Sequence, residues 1–214
     1  MQIETQQLLT RVSCRCCFCF FIGSSLCYQS VMRIIAGSAK RREIKVPKAV
    51  VRPTTDRTRE AMFSIIQSYV DGAKVLDLFA GAGSLGLEAL SRGASNCEFV
   101  DMNRACTSVI DKNLTTLNLK GGSVINADVL SFLKRARGNY DLIFADPPYY
   151  KIPGDRDFAS ELLAEENGLH ILVDDGLLVI EIDARHKPNV PATWEVADQR
   201  SYGGCAILFL RKAK

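Results

Sequence analysis

Asp146-Pro147-Pro148-Tyr149 is a segment whose residue types could do chemistry together. Successive prolines fix the backbone and leave no N–H groups in need of partners. A carbonyl beside Pro147 and the Asp146 carboxylate can then point at one spot. Two converging acceptors suit the exocyclic amine of a nucleic-acid base, which carries two N–H donors. They favour a more pyramidal nitrogen, whose lone pair can attack a methyl group. Tyr149 offers a face on which the base can stack, a contact worth about 1–3 kcal/mol. Rate enhancement would come from positioning and electrostatics, with no strong base needed. Alone, the tetrad also reads as an ordinary turn.

Gly81-Ala82-Gly83-Ser84-Leu85-Gly86 spells G-x-G-x-x-G, and Asp101 follows about twenty residues later. Two cofactor classes compete for such a loop. In a dinucleotide site the glycines follow the strand at once and the pyrophosphate sits on the helix N-terminus. Here Asp77-Leu78-Phe79-Ala80 comes first. An acid there is unwelcome beside a pyrophosphate. It suits S-adenosyl-L-methionine, which has a cationic amino-acid end and no phosphates. Asp101 would accept from the ribose diol, and Asp128 from the adenine amine. Asp128 also reads as the cap of the next helix, and Asp77 as a structural acid orienting the glycine loop. The expected cofactor-binding set is Asp77, Phe79, Ala80, Gly81, Gly83, Asp101, Met102, Asp128, Val129 and Asp146. The catalytic set is Asp146, Pro147, Pro148 and Tyr149.

The elements that must position these residues alternate. Strands are expected at Arg33–Gly37, Lys74–Phe79, Cys97–Val100, Val124–Asn126, Tyr140–Ala145 and Leu177–Ile182. Helical spacing covers Asp56–Tyr69, with Asp56 as N-cap, and Ser84–Ser91, Asn103–Leu119, Val129–Arg135 and Phe158–Glu166. Trp194–Arg200 and Ala206–Leu210 read as a hairpin through Gly203-Gly204. The pattern predicts a doubly wound α/β fold, mostly parallel, with an antiparallel C-terminal hairpin. Both motifs then fall on one edge of the sheet, where an open α/β sheet binds its ligands.

Length and composition agree. The 214 residues, 47% hydrophobic and 24% charged, suit one α/β domain. No segment reads as a membrane span. The net charge of +3 conceals an asymmetry: Arg33 to Arg59 carries nine cations against Glu43 and Asp56. This arm includes Arg33, Lys40, Arg41 and Arg42, and it suggests a polyanionic partner; a solvated surface segment is the plainer alternative. Cys97, Cys106 and Cys205 read as reduced residues of a cytoplasmic protein. No H-x-x-H or carboxylate cluster predicts a catalytic metal, and His170 and His186 read as surface or structural.

Residues 1–31 differ from the rest. The overlapping C-x-x-C pairs Cys14/Cys17 and Cys16/Cys19 are too close to build a separated zinc site, and the charge pattern fits a secretory signal poorly. The segment reads as a poorly ordered extension or an early-assigned start. The division expected is 1–31, a basic arm and helix at 32–72, and a cofactor-binding domain at 73–214.

Met32-Arg33-Ile34-Ile35-Ala36-Gly37, the segment Arg52-Pro53-Thr54-Thr55-Asp56-Arg57-Thr58-Arg59-Glu60-Ala61-Met62-Phe63, Asp77 to Gly86 and Asp146 to Tyr149 together resemble the RsmD-type methyltransferases. The resemblance runs from Met32 to the C-terminus, and the arginine-rich segment is its most specific part. It implies a class I, Rossmann-like methyltransferase that makes N2-methylguanosine in small-subunit (16S) ribosomal RNA. The substrate would be an assembling or assembled small subunit, and the enzyme a monomer. It also implies RNA contacts from Arg52, Thr54, Arg57 and Arg59, with Tyr150, Lys151 and Pro153 in the loop after the turn. Adenine-N6 methylation, NAD-dependent oxidoreduction and RNA binding without catalysis remain alternatives.

Overall fold

The computed structural model describes residues 32–47, 55–152 and 154–214. The expectations for residues 1–31, and those for Arg52, Thr54 and Pro153, lie outside the described residues.

Two short strands, β1 (Met32–Arg33) and β2 (Glu43–Ile44), pair antiparallel ahead of helix α1 (Asp56–Ile65). From there strands and helices alternate: β3 (Lys74–Leu78), α2 (Ser84–Ser91), β4 (Asn96–Asp101), α3 (Arg104–Leu117), β5 (Gly122–Asn126), α4 (Val129–Leu133) and β6 (Tyr140–Ala145). Helices α5 (Phe158–Ala164) and α6 (Glu166–Ile171) precede β7 (Leu172–Asp183), and β8 (Trp194–Tyr202) and β9 (Cys205–Lys212) close the chain. The main sheet runs β5-β4-β3-β6-β7-β9-β8. Its first five members are parallel, and β9 and β8 are antiparallel.

Alternation along each strand divides the core in two. Val75, Phe99, Phe144, Val179 and Phe209 pack under α1, α2 and α3. Leu76, Leu78, Val100, Ile143 and Ile180 pack against α4, α5 and α6. Phe63 of α1 lies against Phe144, with ring centroids 5.5 Å apart.

The basic arm is bolted to α2. Glu88, fully buried, accepts the backbone N–H groups of Ile35 at 2.7 Å and Ala36 at 3.0 Å, and Nε of Arg92 at 2.6 Å. The Ser91 hydroxyl donates to the Ala36 carbonyl at 2.6 Å and accepts from Ala39 at 3.0 Å. Gly37 adopts φ +81°, and a Cβ there would stand 1.8 Å from the Ser91 carbonyl oxygen. Only glycine meets both demands.

Two expectations need correction here. The N-cap of α1 is Thr55, whose hydroxyl accepts the Thr58 N–H at 3.2 Å; Asp56 is the first helical residue. Thr55 takes this place because its backbone is extended while its short side chain reaches the third helical amide. The segment read as one strand from Arg33 to Gly37 is a two-residue strand followed by the turn that clamps α2.

Candidate active site

The glycine loop and the acid-proline turn meet on the carboxyl edge of the sheet. The Asp146 N–H donates to the Leu78 carbonyl at 3.4 Å, joining the end of β6 to the end of β3. Ala80 N–H donates to the Val100 carbonyl at 3.1 Å, and Gly81 N–H to Oδ2 of Asp101 at 2.8 Å, joining β3 to β4. The Asn126 amide donates to the carbonyls of Asp101 and Met102, both at 3.0 Å, and joins β5. These bonds tie four strand ends together along one edge of the sheet, the edge on which an open α/β sheet offers its ligand crevice.

The glycine loop folds because Phe79, Gly81 and Gly83 take left-handed backbone angles in succession. Gly86 has another purpose. A Cβ there would fall 2.3 Å from Cε1 of Phe99 and 2.5 Å from Sγ of Cys97, so its absence lets α2 lie close on β4.

Each predicted acid acquires a specific partner. Asp77 is buried beneath α2 and accepts the Gly86 N–H at 2.9 Å. Burial pushes its carboxyl up to about 8, against the opposing pull of the Gly86 bond. The bond ties β3 to the first turn of α2. Asp101 uses one oxygen for Gly81 and the other for the Asn103 N–H at 2.7 Å. Asp128 caps α4 through the Ser131 N–H at 2.9 Å, and that bond holds its carboxyl below the usual range. Met102 is 73% exposed at the crevice rim, whereas Val129 is buried. Phe79 packs edge-on against Phe158, 5.6 Å between centroids.

Pro147, Pro148, Tyr149 and Tyr150 line a small cleft with Asp157, Glu181 and His186. Tyr149 donates its phenolic hydrogen to Oε1 of Glu181. Tyr150 stacks on His186 at 4.8 Å, and Nε2 of His186 lies 3.0 Å from Asp157, the N-cap of α5. Lys151 is exposed.

The basic set separates into three groups. Arg33, Lys40, Arg41 and Arg57 are exposed. Arg42, by contrast, is committed: its guanidinium donates to the carbonyls of Leu117, at 2.7 Å, and Thr116, the last turn of α3. A cation at a helix C-terminus is favoured by the helix dipole, and Arg42 remains exposed while it makes these bonds. Arg59 is a correction. It is fully buried, with Nη2 on the Arg33 carbonyl and on Oδ1 of Asp56 at 3.0 Å. Its Nε and Nη1 have no hydrogen-bond partner among the described residues. Burial pulls its ionisation below the ordinary guanidinium value. Arg59 anchors β1 to α1 and does not face a phosphate.

Sequence reasoning missed Glu88, Asn113, Asn126 and Glu181. Asn113, buried in α3, accepts the Lys45 N–H at 3.0 Å and donates to the carbonyls of Lys45, at 2.9 Å, and Ala82, at 3.3 Å. A polar residue inside the apolar stripe of a helix was the available signal.

A sheet of this order, with a glycine loop after β3 and an acid-proline turn after its neighbour β6, is a class I, Rossmann-like methyltransferase fold. Residues 32–211 match the family model described as "Conserved hypothetical protein 95", and the chain belongs to that family, the RsmD family. It is 37% identical over 186 residues to "Ribosomal RNA small subunit methyltransferase D" of Escherichia coli K12, covering 86% of this chain and 91% of that one. The protein of the same name from Haemophilus influenzae is 34% identical over 178 residues, covering 80% and 89%. Among solved structures, "Putative methyltransferase yhhF from Escherichia coli" superposes with a TM-score of 0.72 at 37% identity, covering 85% of this chain and 97% of that one. Among the described residues no helix is long and apolar enough to cross a membrane.

Proposed function

We propose that this chain transfers a methyl group from S-adenosyl-L-methionine to the exocyclic N2 of a guanine in small-subunit ribosomal RNA. The observation that carries the reading is the bond from the Asp146 N–H to the Leu78 carbonyl, which sets the turn Asp146-Pro147-Pro148-Tyr149 against the glycine loop. The names of its relatives support the substrate class.

The crevice fits the cofactor. Left-handed Gly81 and Gly83 keep the backbone bare where it must lie against a ligand. Asp101, the last residue of β4, and Asp128, beyond the end of β5, stand part-exposed, with lone pairs left after their backbone bonds. Phe79, Ala80, Met102 and Val129 complete the set, with Asp77 beneath the loop. S-adenosyl-L-methionine, when bound, supplies an electrophilic methyl group.

The remaining chemistry belongs to the chain. Asp146 and the carbonyl beside Pro147 accept hydrogen bonds from the two amine N–H groups and orient the nitrogen lone pair, and one of those protons is lost to solvent during or after transfer. Tyr149 carries the base on its ring. The guanine must leave its stack to reach Asp146, at a cost of a few kcal/mol that is smallest in a loop. Arg33, Lys40, Arg41, Arg57 and Lys151 meet phosphates, and Tyr150 continues that surface. The site of action is cytoplasmic, on an assembling or assembled small subunit, and the enzyme acts as a monomer.

Nucleoside mass spectrometry of ribosomal RNA from a deletion strain tests the reading. Loss of N2-methylguanosine supports it. Intact methylguanosine with missing N6-methyladenosine overturns it in favour of the adenine enzyme.

A further inference from the structure

Tyr149 is held at both ends. At its backbone end stand Pro147 and Pro148, whose rings fix φ. At its phenolic end the hydroxyl donates to Oε1 of Glu181. Glu181 lies inside β7, between β6 and β9, with Ile207 of β9 as its partner in register, and only 8% of it is exposed. In the parallel pairing of β6 with β7 the last matched pair is Ala145 and Ile180. Asp146 and Glu181 are the next residues along each strand. The acid of the turn and the acceptor of its tyrosine are thus set by two adjacent strands with fixed register.

This arrangement has a consequence for the base. A tyrosine tethered only through Cα and Cβ can turn about two side-chain torsions. A tyrosine whose hydroxyl is also bonded to a residue fixed in a sheet keeps its long axis in place, and because a phenolic O–H prefers the plane of its ring, the direction of the acceptor favours one ring plane. Burial, the Glu181 bond and the charges of Glu181 and Asp146 all raise the phenol's ionisation well above its ordinary value, so the hydroxyl stays a donor.

Resting on the function proposed above, we infer that Glu181 is a positioning residue for methyl transfer: it holds the Tyr149 ring in the plane on which the target base stacks. It acts through Tyr149 and does not touch the reacting atoms. Its effect belongs in the turnover of bound RNA, because a tilted ring still binds a base but presents its amine at the wrong place.

The test uses the full chain, labelled S-adenosylmethionine and small subunits isolated from the deletion strain. Tyr149→Phe, Glu181→Ala, Glu181→Gln and the double variant Tyr149→Phe/Glu181→Ala are compared. Glu181→Ala and Tyr149→Phe are each expected to lower kcat about tenfold, with KM for RNA and affinity for S-adenosylhomocysteine changed less than about threefold. The double variant should fall no further than either single one, since both remove the same bond. Glu181→Gln keeps an acceptor and should restore most of the rate. In protein labelled at tyrosine Cζ with carbon-13, the Tyr149 resonance, assigned by its loss in Tyr149→Phe, should move in Glu181→Ala and hold in Glu181→Gln.

Full kcat in Glu181→Ala, additive losses in the double variant, or a Glu181→Gln variant as slow as Glu181→Ala would each overturn the inference. If Glu181→Ala does not fold, the Glu181→Gln and Tyr149→Phe pair decides: a slow Glu181→Gln overturns it, and a fast Glu181→Gln beside a slow Tyr149→Phe supports it. Absence of transfer by the unaltered protein, with the Tyr149 resonance in place, overturns the functional reading and this inference with it.

Discussion

The Asp77 carboxyl accepts the backbone N–H of Gly86 at 2.9 Å, which ties β3 to the first turn of α2 behind the glycine loop. The acid is buried, and its ionisation is pushed up to about 8 from a reference of 3.8. In the folded protein it therefore holds a proton that the unfolded chain gives up near pH 4. This group's contribution to stability is fully present below pH 4, declines as pH rises, and is gone once the pH passes about 8.

Asp77→Asn keeps an oxygen for Gly86 and removes the titration. Urea denaturation at a series of pH values should show the parent losing stability relative to the variant between pH 4 and 8. Parallel curves across that range would show that Asp77 is ionised throughout.

Gly37→Ala should cost about 3 kcal/mol or more, because both the positive φ and the Ser91 carbonyl oppose a Cβ. Gly203 is the control. It has φ +61° with no atom within 4 Å of a built Cβ, so Gly203→Ala should cost only about 1 kcal/mol of backbone strain. Equal losses at the two sites would contradict the clamp described for Gly37.

Among the arginines and lysines of the arm, the hydrogen bonds each one makes decide the expected effect. Lys40→Ala and Arg41→Ala should weaken binding to ribosomal RNA and each lower the salt slope of log K by about 1. Arg42→Ala should instead lower stability by about 0.5–2 kcal/mol, through the lost contact with the end of α3. Filter binding over a salt series, with thermal melts in parallel, separates the two outcomes.

Asp146→Ala should retain binding of S-adenosylhomocysteine while kcat falls about 10²–10³-fold, the loss typical of one electrostatic contact made in the transition state. Calorimetry and labelled-methyl transfer measure the two halves. Full activity in this variant would refute the role given to Asp146.

Much of this architecture was legible in the residues. Ser84–Ser91 and Tyr140–Ala145 appear with the expected bounds, because periodicity and glycine punctuation coincide there. Helix α6 was not foreseen: Glu165 interrupts the helix with an extended backbone, and the six residues after it bury only Gly168 and Ile171. Strand β7 begins five residues before the expected Leu177, because Val173-Asp174-Asp175 lacks an apolar pattern. In the crevice, the glycine loop and the turn follow from spacing. Asn126 and Glu181 do not, since each acts across strands distant in sequence. Arg59 was misjudged for the same reason. Charge density describes a segment's composition, and which guanidinium turns inward is settled by tertiary packing.

The clasp of Glu88 on Ile35 and Ala36 also bears on cooperativity. Breaking it would strand two amides and a buried carboxylate, and Met32, Ile34, Ile44, Met62 and Phe63 share a single apolar cluster with Val75, Phe99 and Phe144. The basic segment therefore has no melting point of its own: heat should take it and the sheet apart in one calorimetric transition.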